Sequence, residues 1–205
     1  MSLTQPCFEM VYKEYRRAMG SAPAELVMPR RIFKYVVADC STVEQAETAI
    51  ETYLSKIESP SILEIGASRS KDPRDLAGDG FADIYWADFL LKHGKGSLTI
   101  VEIDPNALDN CKKILSDFIG RIDIKFICDD GLNWIQSGRW SLIYLDGDDD
   151  PGSMLQQFEC IDRVSSYVFC DDFHGKGTLL RDIYKDFILF KVNWLHEMAL
   201  YPLLN

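Results

Sequence analysis

The chain has 205 residues, enough for one domain with a sizeable hydrophobic core, and its 47% hydrophobic content argues against disorder. Its 22 basic residues against 32 acidic ones give a formal net charge of −10, a field that repels a long polyanion, and no basic stretch offsets it, so nucleic acid is a poor partner. No apolar run reaches the ~18 residues needed to span a bilayer and the first residues lack the basic-then-apolar order of a secretion signal, so the sequence predicts a cytoplasmic protein without a membrane partner.

The first sixty residues read as a helical extension, over 1–58. A segment from Cys7 to Met19 is amphipathic, with Phe8, Val11, Tyr12 and Tyr15 on one side. Ser41-Thr42-Val43-Glu44 resembles a capping box, and Ala46, Ala49, Ile50, Tyr53, Leu54 and Ile57 follow at helical spacing. Between them Pro23 to Tyr35 is less regular and carries Arg30, Arg31 and Lys34. After Pro60 the pattern changes, and 59–205 reads as the core of the same single domain. Strands are predicted at Ser61 to Ile65, Ser97 to Ile103, Ile122 to Cys128, Trp140 to Leu145 and Ser166 to Cys170. Helices are predicted at Ala82 to Lys92, Pro105 to Phe118, Leu132 to Gln136, Gly152 to Arg163 and Thr178 to Phe187. The tail, Leu189 to Leu203, supplies two more strands, for seven in all, and its aromatic edge allows a homodimer. Short apolar strands alternating with helices imply an α/β domain: a mostly parallel sheet with helices on both faces.

The six cysteines, at 7, 40, 111, 128, 160 and 170, form no CxxC pair, which argues against structural zinc and for reduced, buried thiols. Trp86, Trp134 and Trp140 read as core residues, and His93 as a helix C-terminal residue suited to the dipole there.

In parallel sheets ligands bind beyond the carboxyl ends of the strands. Those ends carry acids in every case. The first has Glu64 and Gly66, the second Glu102 and Asp104, and the third Asp129 and Asp130. The fourth has Asp146 through Asp150, and the fifth Asp171 and Asp172. A single Asp after a strand ordinarily caps a helix or turns the chain. Carboxylates crowded on one edge repel each other and call for cations, ligand hydroxyls or bound protons.

Ile62 to Ser68 resembles the first motif of the class I S-adenosylmethionine-dependent methyltransferases, which have a Rossmann-like sheet. Thr99 to Pro105 resembles their second motif, and the pair Asp129-Asp130 followed by Trp134 resembles the segment that meets adenine. The resemblance spans about 60–175. It implies cofactor contacts from Glu64, Gly66, Ala67, Ser68, Gly80, Glu102, Ile103, Asp129, Asp130 and Asp146. Glu102 is placed to accept from both ribose hydroxyls, because one carboxylate takes two parallel hydrogen bonds. Asp146 after the fourth strand and Asp171-Asp172 after the fifth are similar to the metal-dependent, catechol-type O-methyltransferases. That likeness implies Mg2+ or another divalent ion on Asp146, Asp171 and Asp172, and a small-molecule acceptor.

Two departures stand out. The glycine turn is interrupted by Arg69 to Asp79 and resumes at Gly78-Asp79-Gly80. Ala82 stands where a Ser or Thr often meets the cofactor carboxylate, leaving Ser68, Ser70, Arg69 and Arg74 as substitutes. Where relatives place a Lys or His base the chain has Asp149, so the catalytic residues read as Asp146, Asp149 and His174. The expected function is metal-assisted O-methylation, and the alternative is a cofactor-binding protein of this fold without turnover. A nicotinamide enzyme is disfavoured because no GxGxxG opens the first helix. A receiver-type phosphotransferase is disfavoured because the first strand offers only Glu64.

Overall fold

The structure, a computed structural model, describes residues 25–27, 50–69, 82–162, 166–173, 175–184, 188–191 and 197–201. In chain order the elements are β1 (Glu25–Val27), β2 (Ser61–Ile65), α1 (Ala82–His93), β3 (Ser97–Glu102), α2 (Pro105–Ile114) and β4 (Asp123–Cys128). They continue with α3 (Gly131–Ile135), β5 (Leu142–Leu145), α4 (Pro151–Glu159), β6 (Tyr167–Cys170), α5 (Thr178–Ile183), β7 (Ile188–Lys191) and β8 (Glu197–Tyr201).

Among the described residues the strands form one sheet in the order β1-β7-β8-β6-β5-β2-β3-β4. From β6 to β4 the five neighbours pair in parallel. The other three pairings, β6 with β8, β8 with β7 and β7 with β1, are antiparallel. The sheet thus differs from the seven strands expected: five are paired in parallel and three more extend one side, for eight. The added strand, β1, comes from the segment predicted to be a helical extension. It pairs Glu25 to Val27 with Leu189 to Lys191, covering backbone groups that β7 would otherwise leave open. Helical residues 50–54 agree with the second N-terminal helix, whereas the first, at Cys7 to Met19, lies outside the described residues.

Alternation along the strands sorts their side chains onto two faces. Ile62, Leu98, Ile100, Leu142, Tyr144 and Phe169 join α1, α2 and residues Ile50 and Leu54 in one buried cluster. Their neighbours Leu63, Ile65, Val101, Ile143, Leu145, Val168 and Cys170 join Met154, Phe158 and Leu180 in another. Near-continuous apolar strands follow from being covered on both sides. Trp86 is 1% exposed within α1. Trp134 and Trp140 are part-buried against the second cluster, closer to its margin than expected. Among the described cysteines, Cys111 and Cys170 are buried, Cys160 is intermediate, and Cys128 at the edge strand is exposed, contrary to the burial expected of it.

Three of the strand-end acids do what such residues ordinarily do. Asp104, Asp130 and Asp150 are the N-caps of α2, α3 and α4, accepting from Asn106 N, Leu132 N and Ser153 N. The remaining acids are left for the site.

Candidate active site

The strand order reverses between β2 and β5, the place where a crevice forms outside the strand ends. Backbone hydrogen bonds extend the ladder one residue beyond each strand. Gly66 N donates to Val101 O (2.9 Å), Asp146 N to Ile65 O (2.8 Å), Asp171 N to Leu145 O (3.0 Å) and Asp129 N to Glu102 O (3.3 Å). The first residues of four loops therefore stand in fixed register on a single rim.

A cleft of about 200 Å³ opens on this rim, lined by Gly66, Glu102, Ile103, Asp129, Asp130 and Gly147, among others. Gly66 has φ 99°, and a Cβ there would lie 2.7 Å from the Asp146 carbonyl oxygen. Glycine is required both for that conformation and for the close approach of the two loops. Glu102 is aimed by two backbone amides: Ala67 N donates to Oε2 (3.1 Å) and Asp104 N to Oε1 (2.8 Å). Each oxygen keeps a lone pair for a further donor. Ile103 is 71% exposed, an apolar side chain left uncovered beside polar neighbours.

On the far wall, Asp129 accepts from Asp130 N (2.8 Å) and Asn133 Nδ2 (3.1 Å) on Oδ1, and from Trp134 Nε1 (3.0 Å) on Oδ2. These bonds, that from Asn133 foremost, hold its carboxyl below the usual carboxylate range. Asp129 is thus a fixed anion at the cleft edge.

Beneath Gly66 lies a buried acidic knot. Glu64 is 3% exposed, and its Oε2 has no hydrogen-bond partner among the described residues. Burial pushes its carboxyl well above the ordinary range, helped by the charges of Asp83, Asp146 and Asp171. Asp83, fully buried in the first turn of α1, accepts from Ser68 Oγ (2.8 Å), Ile84 N (2.8 Å) and Cys111 Sγ (3.0 Å). Its carboxyl too is raised by burial, with those hydrogen bonds opposing.

A second group adjoins the cleft. Asp172 takes a positive φ of 45° at the end of β6, and its carbonyl accepts from Gly175 N (2.9 Å) and Lys176 N (3.0 Å). This turn folds Lys176 back onto the rim. Its Nζ lies 2.6 Å from Asp146 Oδ1, 3.5 Å from Asp149 Oδ1 and 3.8 Å from Asp172 Oδ2. The Lys176 side chain is 7% exposed, that of Asp149 90%. The Asp146 carboxyl is pushed up to about 7, by burial first and then by Asp171, with Lys176 pulling the other way.

No family model matches the chain. No curated protein matches its sequence. Solved structures do share its fold. The SAH-bound methyltransferase PaMTH1 of Podospora anserina superposes with a TM-score of 0.51 at 12% identity, covering 98% of this chain and 97% of that one. NSun6 of Pyrococcus horikoshii, with SFG, gives 0.50 at 11% identity over 76% of this chain and 52% of that one. A Clostridium thermocellum protein proposed to be an rRNA methylase gives 0.50 at 14% identity, over 80% and 96%. The chain has the class I methyltransferase fold.

Within that fold, the expected residues fall into three groups. Gly66, Glu102, Ile103, Asp129 and Asp130 line the cleft together, with Ala67 and Glu64 directly behind. Ser68 is 4% exposed and its hydroxyl is spent on Asp83, so it is turned away from the cleft. Gly80, Ser70, Arg74 and His174 lie outside the described residues. His93 ends α1 as expected and stands 3.1 Å from the Ile57 carbonyl through Nε2.

The metal site expected at Asp146, Asp171 and Asp172 is not formed. The cation beside Asp146 and Asp172 is the ammonium of Lys176, whose hydrogen bond takes Asp146 Oδ1. Among the described residues no three His, Cys, Asp or Glu side chains gather to hold a metal ion. The donor set does not fit a divalent ion, since such an ion and an ammonium repel in one seat. Lys176 and Asp83 were missed in the sequence. The spacing Asp172 to Lys176 was the available signal for the first. An acid in the first turn of an otherwise buried helix was the signal for the second.

Proposed function

We propose that this chain is an S-adenosylmethionine-dependent methyltransferase acting on an oxygen of a small molecule. The observation that carries the reading is Glu102, set in the cleft by two backbone amides with lone pairs to spare. A vicinal diol such as a ribose is the natural match for a carboxylate so presented. The likeness in fold to an SAH-bound methyltransferase supports it.

The residues present fit that cofactor. Gly66 lets the backbone come close, Ile103 offers an apolar face for a base, and Asp129 gives a fixed acceptor at the far edge. Glu64, buried with an unpartnered oxygen, favours a cationic group nearby. When bound, S-adenosylmethionine supplies a methyl group on a sulfonium, a leaving group already activated. Asp146, with its carboxyl near 7, is suited to take a proton from a hydroxyl around neutral pH. Asp146 directly precedes Gly147, a residue of the cleft lining. Alignment and electrostatic fit then contribute most of the rate. The acidic rim and the net charge of −10 favour a small acceptor over a polyanion.

Isothermal titration calorimetry with S-adenosylhomocysteine tests this. Wild-type protein should bind, and Glu102→Ala should bind roughly 10- to 100-fold more weakly, as expected for losing bonds to a charged acceptor. Absence of binding by the wild type, or undiminished binding by the variant, would sink the reading.

A further inference from the structure

We propose that Lys176 is the tethered cation of the acceptor site, filling the seat for which the carboxylates of the β5 and β6 ends would otherwise recruit a divalent ion. The role assigned to it rests on the methyl-transfer reading, whereas its occupancy of that seat does not.

Geometry carries the first step. Lys is almost never buried unless paired, yet this side chain is 7% exposed. What draws it in is a set of acids from two loops: Asp146 at 2.6 Å, Asp149 at 3.5 Å and Asp172 at 3.8 Å. The turn that delivers it is over-determined. Asp172 adopts a left-handed conformation, its carbonyl accepts the Lys176 amide, and Gly177 leaves no room for a side chain against the buried ring of Phe173. A lysine merely neutralising surface charge needs no such framework.

The second step concerns what the ammonium offers. Among the described residues its one hydrogen bond is to Asp146, and the ammonium carries three N–H donors. Asp146 and Lys176 do not line the cleft, but Gly66, Gly147 and Asp148 do. Asp146 directly precedes Gly147 in the cleft wall, so the ammonium bonded to it stands at the edge of the cofactor cleft. An acceptor oxygen brought to that edge would meet a single hydrogen-bonding charge and, beside it, the Asp146 carboxylate that receives its proton. Such a group suits one ionising oxygen, as in a phenol or enol. It does not demand the two neighbouring oxygens that chelate a metal.

Mn2+ titration of the full chain, followed by electron paramagnetic resonance, tests the proposal without cofactor or acceptor. Its failure is thus separable from failure of the methyl-transfer reading. Wild type and Lys176→Arg should leave Mn2+ free up to about 1 mM, while Lys176→Ala should bind it at least tenfold more tightly, through Asp146 and Asp172. Wild-type binding that disappears in Asp172→Asn would overturn the proposal. So would a folded Lys176→Ala that ignores Mn2+. Should Lys176→Ala not fold, Lys176→Gln, which keeps the chain length and removes the charge, takes its place and should bind Mn2+ in the same way.

Discussion

Glu64 pays a penalty for its position: a buried carboxyl, one oxygen without a described partner, and three acids raising its proton affinity. A group whose folded-state pKa is raised binds its proton more tightly in the native state. Folding stability is therefore lost as pH climbs from the ordinary carboxylate value towards the raised one. Glu64→Gln removes the ionisable group and with it this loss. The ligand-free variant should melt above wild type at pH 8 by roughly 2–4 °C, which is what about 1 kcal/mol gives in a domain of this size. The gap should shrink as pH is lowered towards 5. Differential scanning calorimetry at several pH values checks this, and a variant that melts at or below wild type at pH 8 would show that Glu64 is not strained by burial. A residue kept at such expense fits a binding role, because stability is commonly spent at functional sites.

At the scale of elements, the turn between β6 and α5 leaves little room for a larger residue at Gly177. Gly177 faces Phe173, which is completely buried, and an added methyl would overlap the ring. The Arg181 guanidinium covers the same ring at 5.4 Å from its centroid, so the ring has little room to move. Gly177→Ala should cost about 1–3 kcal/mol, the usual range for overpacking. Urea denaturation measures it, and a change below about 0.5 kcal/mol would mean the ring yields freely. The elements themselves were largely legible in the sequence. Strands such as Ser61–Ile65 are short apolar runs closed by glycine or acid, and Asp104-Pro105 and Asp150-Pro151 mark helix starts by cap and first-turn proline. β1 was hidden because three residues, Glu25–Val27, carry no periodicity, and only pairing with β7 makes them a strand. Lys176 was hidden for a different reason. Its place on the rim depends on a left-handed Asp172 that bends the chain back, and the Asp172 to Lys176 spacing does not reveal backbone handedness at a non-glycine residue.

For the molecule as a whole, the sheet turns a scattered list of acids into one rim with a division of labour. Glu102 and Asp129 face the cleft, Asp146 and Asp172 bracket an ammonium, and Asp104, Asp130 and Asp150 hold helices in place. The acidic pattern was read as a binding edge with a metal centre, and an ammonium stands where that ion was expected, because strand order predicts which residues meet and only packing decides which cation meets them. The most direct test is a crystal structure of the protein grown with S-adenosylhomocysteine and Mg2+. The nucleoside should lie in the cleft with both ribose hydroxyls on Glu102, and Lys176 should still be bonded to Asp146 with no metal between them. A nucleoside bound elsewhere, with Glu102 facing only solvent, would contradict it.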